Sequence, residues 1–192
     1  GEGFTLHNVR RLSQALANEI TRRGQEKHGV LIGYDRRFLS DRAAEAAAEV
    51  FAGNNIAVTL LREDAPTPLI TYATALVNAA YGLGFTASHN PPEYNGLKVF
   101  NSRGMSLTNR EQLELEAILE KETYSLARWD EVGYVDQVDA VEPYVEAVAD
   151  ALGDLGDLKV GCDLFNGATC TVALTAFQEL DVESEFITSV PD

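Results

Sequence analysis

Three short apolar runs, "VLIGYD" (Val30 to Asp35), "IAVTLL" (Ile56 to Leu61) and "YGLGFTA" (Tyr81 to Ala87), punctuate the first half of the chain, with helical periodicity before and between them. Runs this short and this rich in branched residues read as buried strands rather than helices. Ahead of the first run, Leu6, Val9, Leu12, Leu16 and Ile20 fall on one helical stripe, with Thr5 placed to cap it. Ser40 is placed to cap the alanine-rich "DRAAEAAAEVFAG", which Gly53 ends, and Pro66 and Pro68 bracket the start of a helix over Leu69 to Ala79. Strands alternating with helices in this way imply an α/β fold.

The third run leads into "TASHNPPEYNGLKVF" (Thr86 to Phe100). Ser88 falls just beyond a strand end, where side chains of α/β proteins meet ligands. Pro91 and Pro92 fix φ and remove two N–H donors, so the loop is stiff. Asn95-Gly96 is a turn signal and Leu97 to Phe100 alternates as a strand, so a hairpin folds Lys98 back towards Ser88. Neighbours in extended chain point apart and no G-x-S-x-G elbow surrounds the serine, so a Ser-His triad is not expected of Ser88 and His89. Arg36 and Arg37 follow another strand end, and with Lys98 they suit a phosphoryl group and an anionic substrate. On residue chemistry alone the loop reads equally as a stiff hairpin connection or as a phosphoryl site.

Further on, "LTNREQLELEAILEKE" predicts an amphipathic helix capped by Thr108. The stretch "TYSLARWDEVGYVDQVDA" reads as irregular, with a domain boundary near Asp139. Beyond it, "VEPYVEAVADALG", "LKVGCDLF", "GATCTVALTAFQEL" and "VESEFIT" predict helix, strand, helix and strand. Over 192 residues the formal net charge is -15, which argues against nucleic acid and anionic membrane as partners. No apolar run is long enough to cross a bilayer. Cys162 and Cys170 make neither a disulfide framework nor a zinc site, so a reducing, cytoplasmic location is expected.

"TASHNPPEYNGLK" closely resembles the phosphoserine signature of the α-D-phosphohexomutase superfamily, the phosphoglucomutases and phosphomannomutases. "GYDRRFLSDRAAEAAAEVF" and "PTPLITYA" resemble two further segments of the same family, in the same order. The resemblance implies an α/β/α fold with a mixed sheet sandwiched by helices: residues 1–138 as the family's first domain and residues 139–192 as part of its second. It implies that Ser88 is carried as phosphoserine, gives its phosphoryl group to a hexose phosphate, and is rephosphorylated from the bisphosphate intermediate, with a sugar bisphosphate as activator. His89 and Lys98 fall on family active-site positions, Lys98 as the proton carrier. Arg37, not Arg36, takes the recurrent arginine position, as a phosphate-binding residue, and Asn90 orders the loop. Mg²⁺ is implied as cofactor, bound through the Ser88 phosphate.

The family's Asp-Gly-Asp-x-Asp-Arg metal loop and Gly-Glu-x-Ser-Gly sugar loop do not occur in the chain. The expectation is therefore a fragment of a longer phosphohexomutase, inactive alone and lacking later domains. The alternative is a stand-alone phospho-sugar binding or phosphoserine-carrying module. The wording of the serine loop leans towards glucose or mannose phosphates over glucosamine phosphate.

Overall fold

A computed structural model describes residues 3–119, 124–127 and 135–190. Helix α1 (Leu6–Arg22) is followed by β1 (Val30–Tyr34), α2 (Ser40–Gly53), β2 (Val58–Leu61), α3 (Thr67–Leu76), β3 (Tyr81–Phe85) and β4 (Leu97–Asn101). Then come α4 (Asn109–Leu119), β5 (Val135–Val138), α5 (Val141–Leu152), β6 (Lys159–Asp163), α6 (Cys170–Glu179) and β7 (Glu183–Ile187).

Five strands form one mixed sheet in the order β4-β3-β1-β2-β5, with β4 antiparallel to β3 and the other pairs parallel. A second sheet pairs β6 with β7 in parallel. The strand period of two divides the core between the faces of the larger sheet. Val30 and Ile32 pack with α1, α2 and Leu115 of α4, whereas Leu31 packs with α3, Val145 of α5 and Val172 of α6. This is the expected α/β/α sandwich. Helix α3 lies close on the sheet because the strands beneath it carry glycine: a Cβ on Gly82 would collide with the Thr74 hydroxyl, and one on Gly33 would stand 2.6 Å from Ile70.

Thr5 caps α1 as expected, its hydroxyl accepting from the Asn8 amide at 3.1 Å. Thr108 forms a capping box with Glu111, which accepts from both the Thr108 amide and hydroxyl and is thereby held below the usual carboxylate range. Ser40 departs from expectation. It is the first residue of α2 rather than its cap, and Leu39 precedes it in left-handed backbone at φ 67. The stretch expected to be irregular contains β5, paired with β2 from Val58↔Val135 to Leu61↔Val138. The end of the helix expected through Glu122, and residues 128–134, lie outside the described residues.

Candidate active site at the Ser88 loop

The loop from Thr86 to Gly96 joins β3 to its antiparallel neighbour β4, closed at its base by the Thr86 amide bonding the Gly96 carbonyl at 3.0 Å. Within it the Ser88 amide donates to the Thr86 hydroxyl, Asn90 to the Ala87 carbonyl and Tyr94 to the Pro91 carbonyl. Ser88 is exposed and adopts φ 56, a left-handed conformation that costs an L-residue roughly 1–3 kcal/mol. That turn of the backbone overrides the alternation of extended chain. Contrary to expectation, the Ser88 Oγ and His89 Nδ1 stand 2.9 Å apart, in hydrogen-bond contact. Among the described residues no carboxylate bonds His89, so the pair is not extended into a triad.

Arg37 enters from the β1–α2 turn and is largely buried. Its Nη1 donates to the carbonyls of Pro91 (2.8 Å) and Tyr94 (3.1 Å), and its Nη2 to those of Ser88 (2.7 Å) and Asn90 (2.8 Å). Its Nε donates to Asp35 at 3.2 Å. A guanidinium has five N–H donors, and the loop and Asp35 take all of them. As placed, each N–H of the Arg37 guanidinium has a protein acceptor. Arg36 is paired instead with Asp64, Nε to Oδ2 at 2.7 Å.

A cleft of about 520 Å³ is lined by Asp35 to Phe38, Thr67, Thr86, the Ser88–Asn90 turn and Phe165 to Ala168. The last segment, in the β6–α6 connection, carries no site motif in the sequence. Its signal is a turn written "FNG", where Phe165 and Asn166 both take positive φ. Phe38 and Phe165 are the most exposed large apolar side chains on the cleft, at 82% and 80%. Lys98 lines a separate cavity of about 510 Å³ beside β4. The two cavities share Thr67 at the start of α3. Leu97 and Val99 pack towards α1 and α4, so the strand period turns Lys98, like Phe100, to the α3 face. Ser88, His89, Asn90, Arg36 and Arg37 are thus gathered at one cleft, with Lys98 next door.

Mg²⁺ needs several oxygen ligands. Among the described residues no three His, Cys, Asp or Glu side chains are grouped to hold a metal. These residues do not fit the ion by themselves. Nor, among the described residues, is any helix long and apolar enough to cross a membrane.

The sequence profile described as phosphoglucomutase/phosphomannomutase, alpha/beta/alpha domain I, matches residues 1–125, and the chain belongs to this family. It is 36% identical over 151 residues to a "Probable phosphoglucosamine mutase" of Pyrococcus abyssi, covering 79% of this chain and 33% of that protein. It is 30% identical over 196 residues to a "Phosphoglucomutase/phosphomannomutase" of Thermococcus kodakarensis, covering 100% of this chain and 42% of that protein. A crystal structure of a phosphoglucomutase/phosphomannomutase family protein from Burkholderia thailandensis shares the fold, with a TM-score of 0.82 at 23% identity over 100% of this chain and 42% of that one. The chain therefore spans between a third and about two-fifths of the length of these relatives. Their names divide between glucosamine, glucose and mannose phosphates, and so do not favour the latter two over glucosamine phosphate.

Proposed function

We propose that Ser88 is the phosphoryl carrier of a hexose phosphate mutase and that this chain supplies the carrier part of it. The observation that supports the reading best is Ser88 itself: an exposed hydroxyl at φ 56, on a braced loop in the family-matched region, beside a cleft. In the forward step the Ser88 Oγ–P bond breaks while a sugar hydroxyl oxygen bonds phosphorus, giving a hexose bisphosphate; Lys98 takes up the hydroxyl proton and the departing serine oxygen takes a proton from solvent. In the return step the serine hydroxyl gives up its proton to solvent as its oxygen bonds the other phosphoryl group, and the sugar oxygen leaves with the proton held on Lys98. His89, bonded to the serine oxygen, orients it. Magnesium, which offsets phosphoryl charge in such transfers, would need carboxylates from beyond the described residues. The same reading divides the chain at residues 1–138 and 139–192 and places the protein in the cytoplasm.

The test is to incubate the chain with glucose 1,6-bisphosphate and map phosphate by peptide mass spectrometry. One phosphoryl group on Ser88, absent from Ser88→Ala, is expected, with no net isomerisation of glucose 1-phosphate by the chain alone. Binding of glucose 1-phosphate without any label on Ser88 would leave the binding-module reading in its place.

A further inference from the structure

We infer that Arg37 is a positioning residue: its guanidinium gathers the carbonyls of the serine loop and so holds Ser88 in its left-handed conformation, rather than binding phosphate. Its importance for catalysis rests on the phosphoryl-carrier reading; its effect on the backbone does not.

The four accepting carbonyls, of Ser88, Asn90, Pro91 and Tyr94, run along the loop from Ser88 to Tyr94, so one side chain fixes the direction of four peptide planes. In a trans peptide the C=O and N–H point opposite ways. No cis bond occurs among the described residues. Turning the Ser88 carbonyl onto Arg37 therefore turns the His89 amide away from it. At Asn90 and Pro91 the following residue is proline, which has no N–H. Two of the carbonyls can thus be folded inward without leaving an amide donor stranded on the outer side. The two prolines and the arginine are halves of one device.

Arg37 is itself fixed. Asp35 accepts from the Arg37 amide at 3.0 Å and from Nε, and also from the Ser40 hydroxyl at 2.8 Å. That hydroxyl accepts from Asn95 at the far end of the loop, at 2.8 Å, and Asn95 also donates to the Phe38 carbonyl at 3.1 Å. The bonds close a ring from Asp35 through Arg37, the loop, Asn95 and Ser40 back to Asp35. A phosphate on Arg37 would have to break into that ring. A lysine has three donors on a point charge and does not reproduce the planar fork.

The test compares wild type, Arg37→Ala and Arg37→Lys as the full 192-residue chain. Two quantities are read: the NMR HN–Hα coupling and carbon shifts of Ser88, which report the sign of φ, and the rate of Ser88 phosphorylation by glucose 1,6-bisphosphate. Expected are a positive-φ signature in wild type, its loss in both variants, and phosphorylation slowed by roughly tenfold or more. If the alanine variant does not fold, the lysine variant decides. A retained Ser88 signature in the variants overturns the inference, whatever happens to the rate, because Arg37 then acts as a ligand or not at all. A wild-type Ser88 without positive φ overturns it too. Loss of the signature in a chain that takes no phosphate even as wild type upholds the positioning role and defeats the carrier reading instead.

Discussion

Asn95 donates a 2.8 Å hydrogen bond to the hydroxyl of Ser40, a residue 55 positions earlier and fully buried at the start of α2. The same hydroxyl donates to Asp35, so it passes the constraint from the β1–α2 turn to the far end of the serine loop. Ser40→Ala removes both bonds and leaves the Asp35 carboxylate and the Asn95 amide each short of a partner in a poorly solvated place. The expected cost is about 1–3 kcal/mol in urea unfolding. Amide exchange in residues 88–95 should rise more than in β1 or β3, because those strands are held by the sheet. Uniform loosening of all three would show that Ser40 supports the core generally and not the loop.

Helix α3 presses on the sheet through Gly82, where an added Cβ would run into the hydroxyl of Thr74, itself buried and bonded to the Ile70 carbonyl at 2.7 Å. Gly82→Ala should destabilise by about 1–3 kcal/mol through overpacking. Thr74→Ala removes the opposing atoms, so the double variant should be less destabilised than the sum of the two, by about 0.5–3 kcal/mol. Strict additivity would mean that the helix shifts bodily to admit the methyl group.

Acid sensitivity should come in part from α1. Glu19 is almost fully buried and bonds Arg22 and Arg23; the bond from Arg22 is the larger cause holding its carboxyl below the usual range. A depressed folded-state value contributes stability that is present above the unfolded carboxylate range, near pH ~4.3, and is lost as pH falls through the lower folded value. Glu19→Gln is therefore expected to be less stable than wild type at pH 7, with the gap narrowing below pH ~4. Parallel stability curves for the two proteins down to pH ~3 would count against this assignment.

The sequence was most readable where burial is two-sided. β1 and β3 are almost entirely buried, and their unbroken apolar runs announced them. β5 was hidden because "VDQV" is a short edge strand with its two central residues exposed, so it carries the polarity of a loop. Ser40 looks like a cap in sequence, but its hydroxyl is claimed by Asp35, five residues earlier, and by Asn95, which only the tertiary fold brings near. The serine loop was legible as a motif, and its contact between Ser88 and His89 was not. A left-handed residue reverses the direction rule for neighbours, and nothing local to a serine demands that conformation. Arg37 illustrates the same limit. Its charge is visible in sequence, whereas the carbonyls that consume its donors lie more than 50 positions away.

Lys98 and His89 are competing proton carriers for the proposed transfer, and the geometry separates their roles. His89 already bonds the serine oxygen at 2.9 Å, so in the proposed transfer it would act on the serine side. Lys98 stands across Thr67 in the adjoining cavity and has no ion-pair partner among the described residues, so its ammonium group is not committed to the fold. Phosphorylation of Ser88 by glucose 1,6-bisphosphate requires a proton for the departing sugar oxygen. If Lys98 supplies it, Lys98→Ala should slow that step by about 10²-fold or more with little change in thermal midpoint. His89→Ala should then have the smaller effect, since it loses orientation of the serine but not the proton source. Quenched time courses read by intact mass give both rates. The reverse ranking would move the proton transfer to the imidazole and leave Lys98 as a bystander in its own cavity.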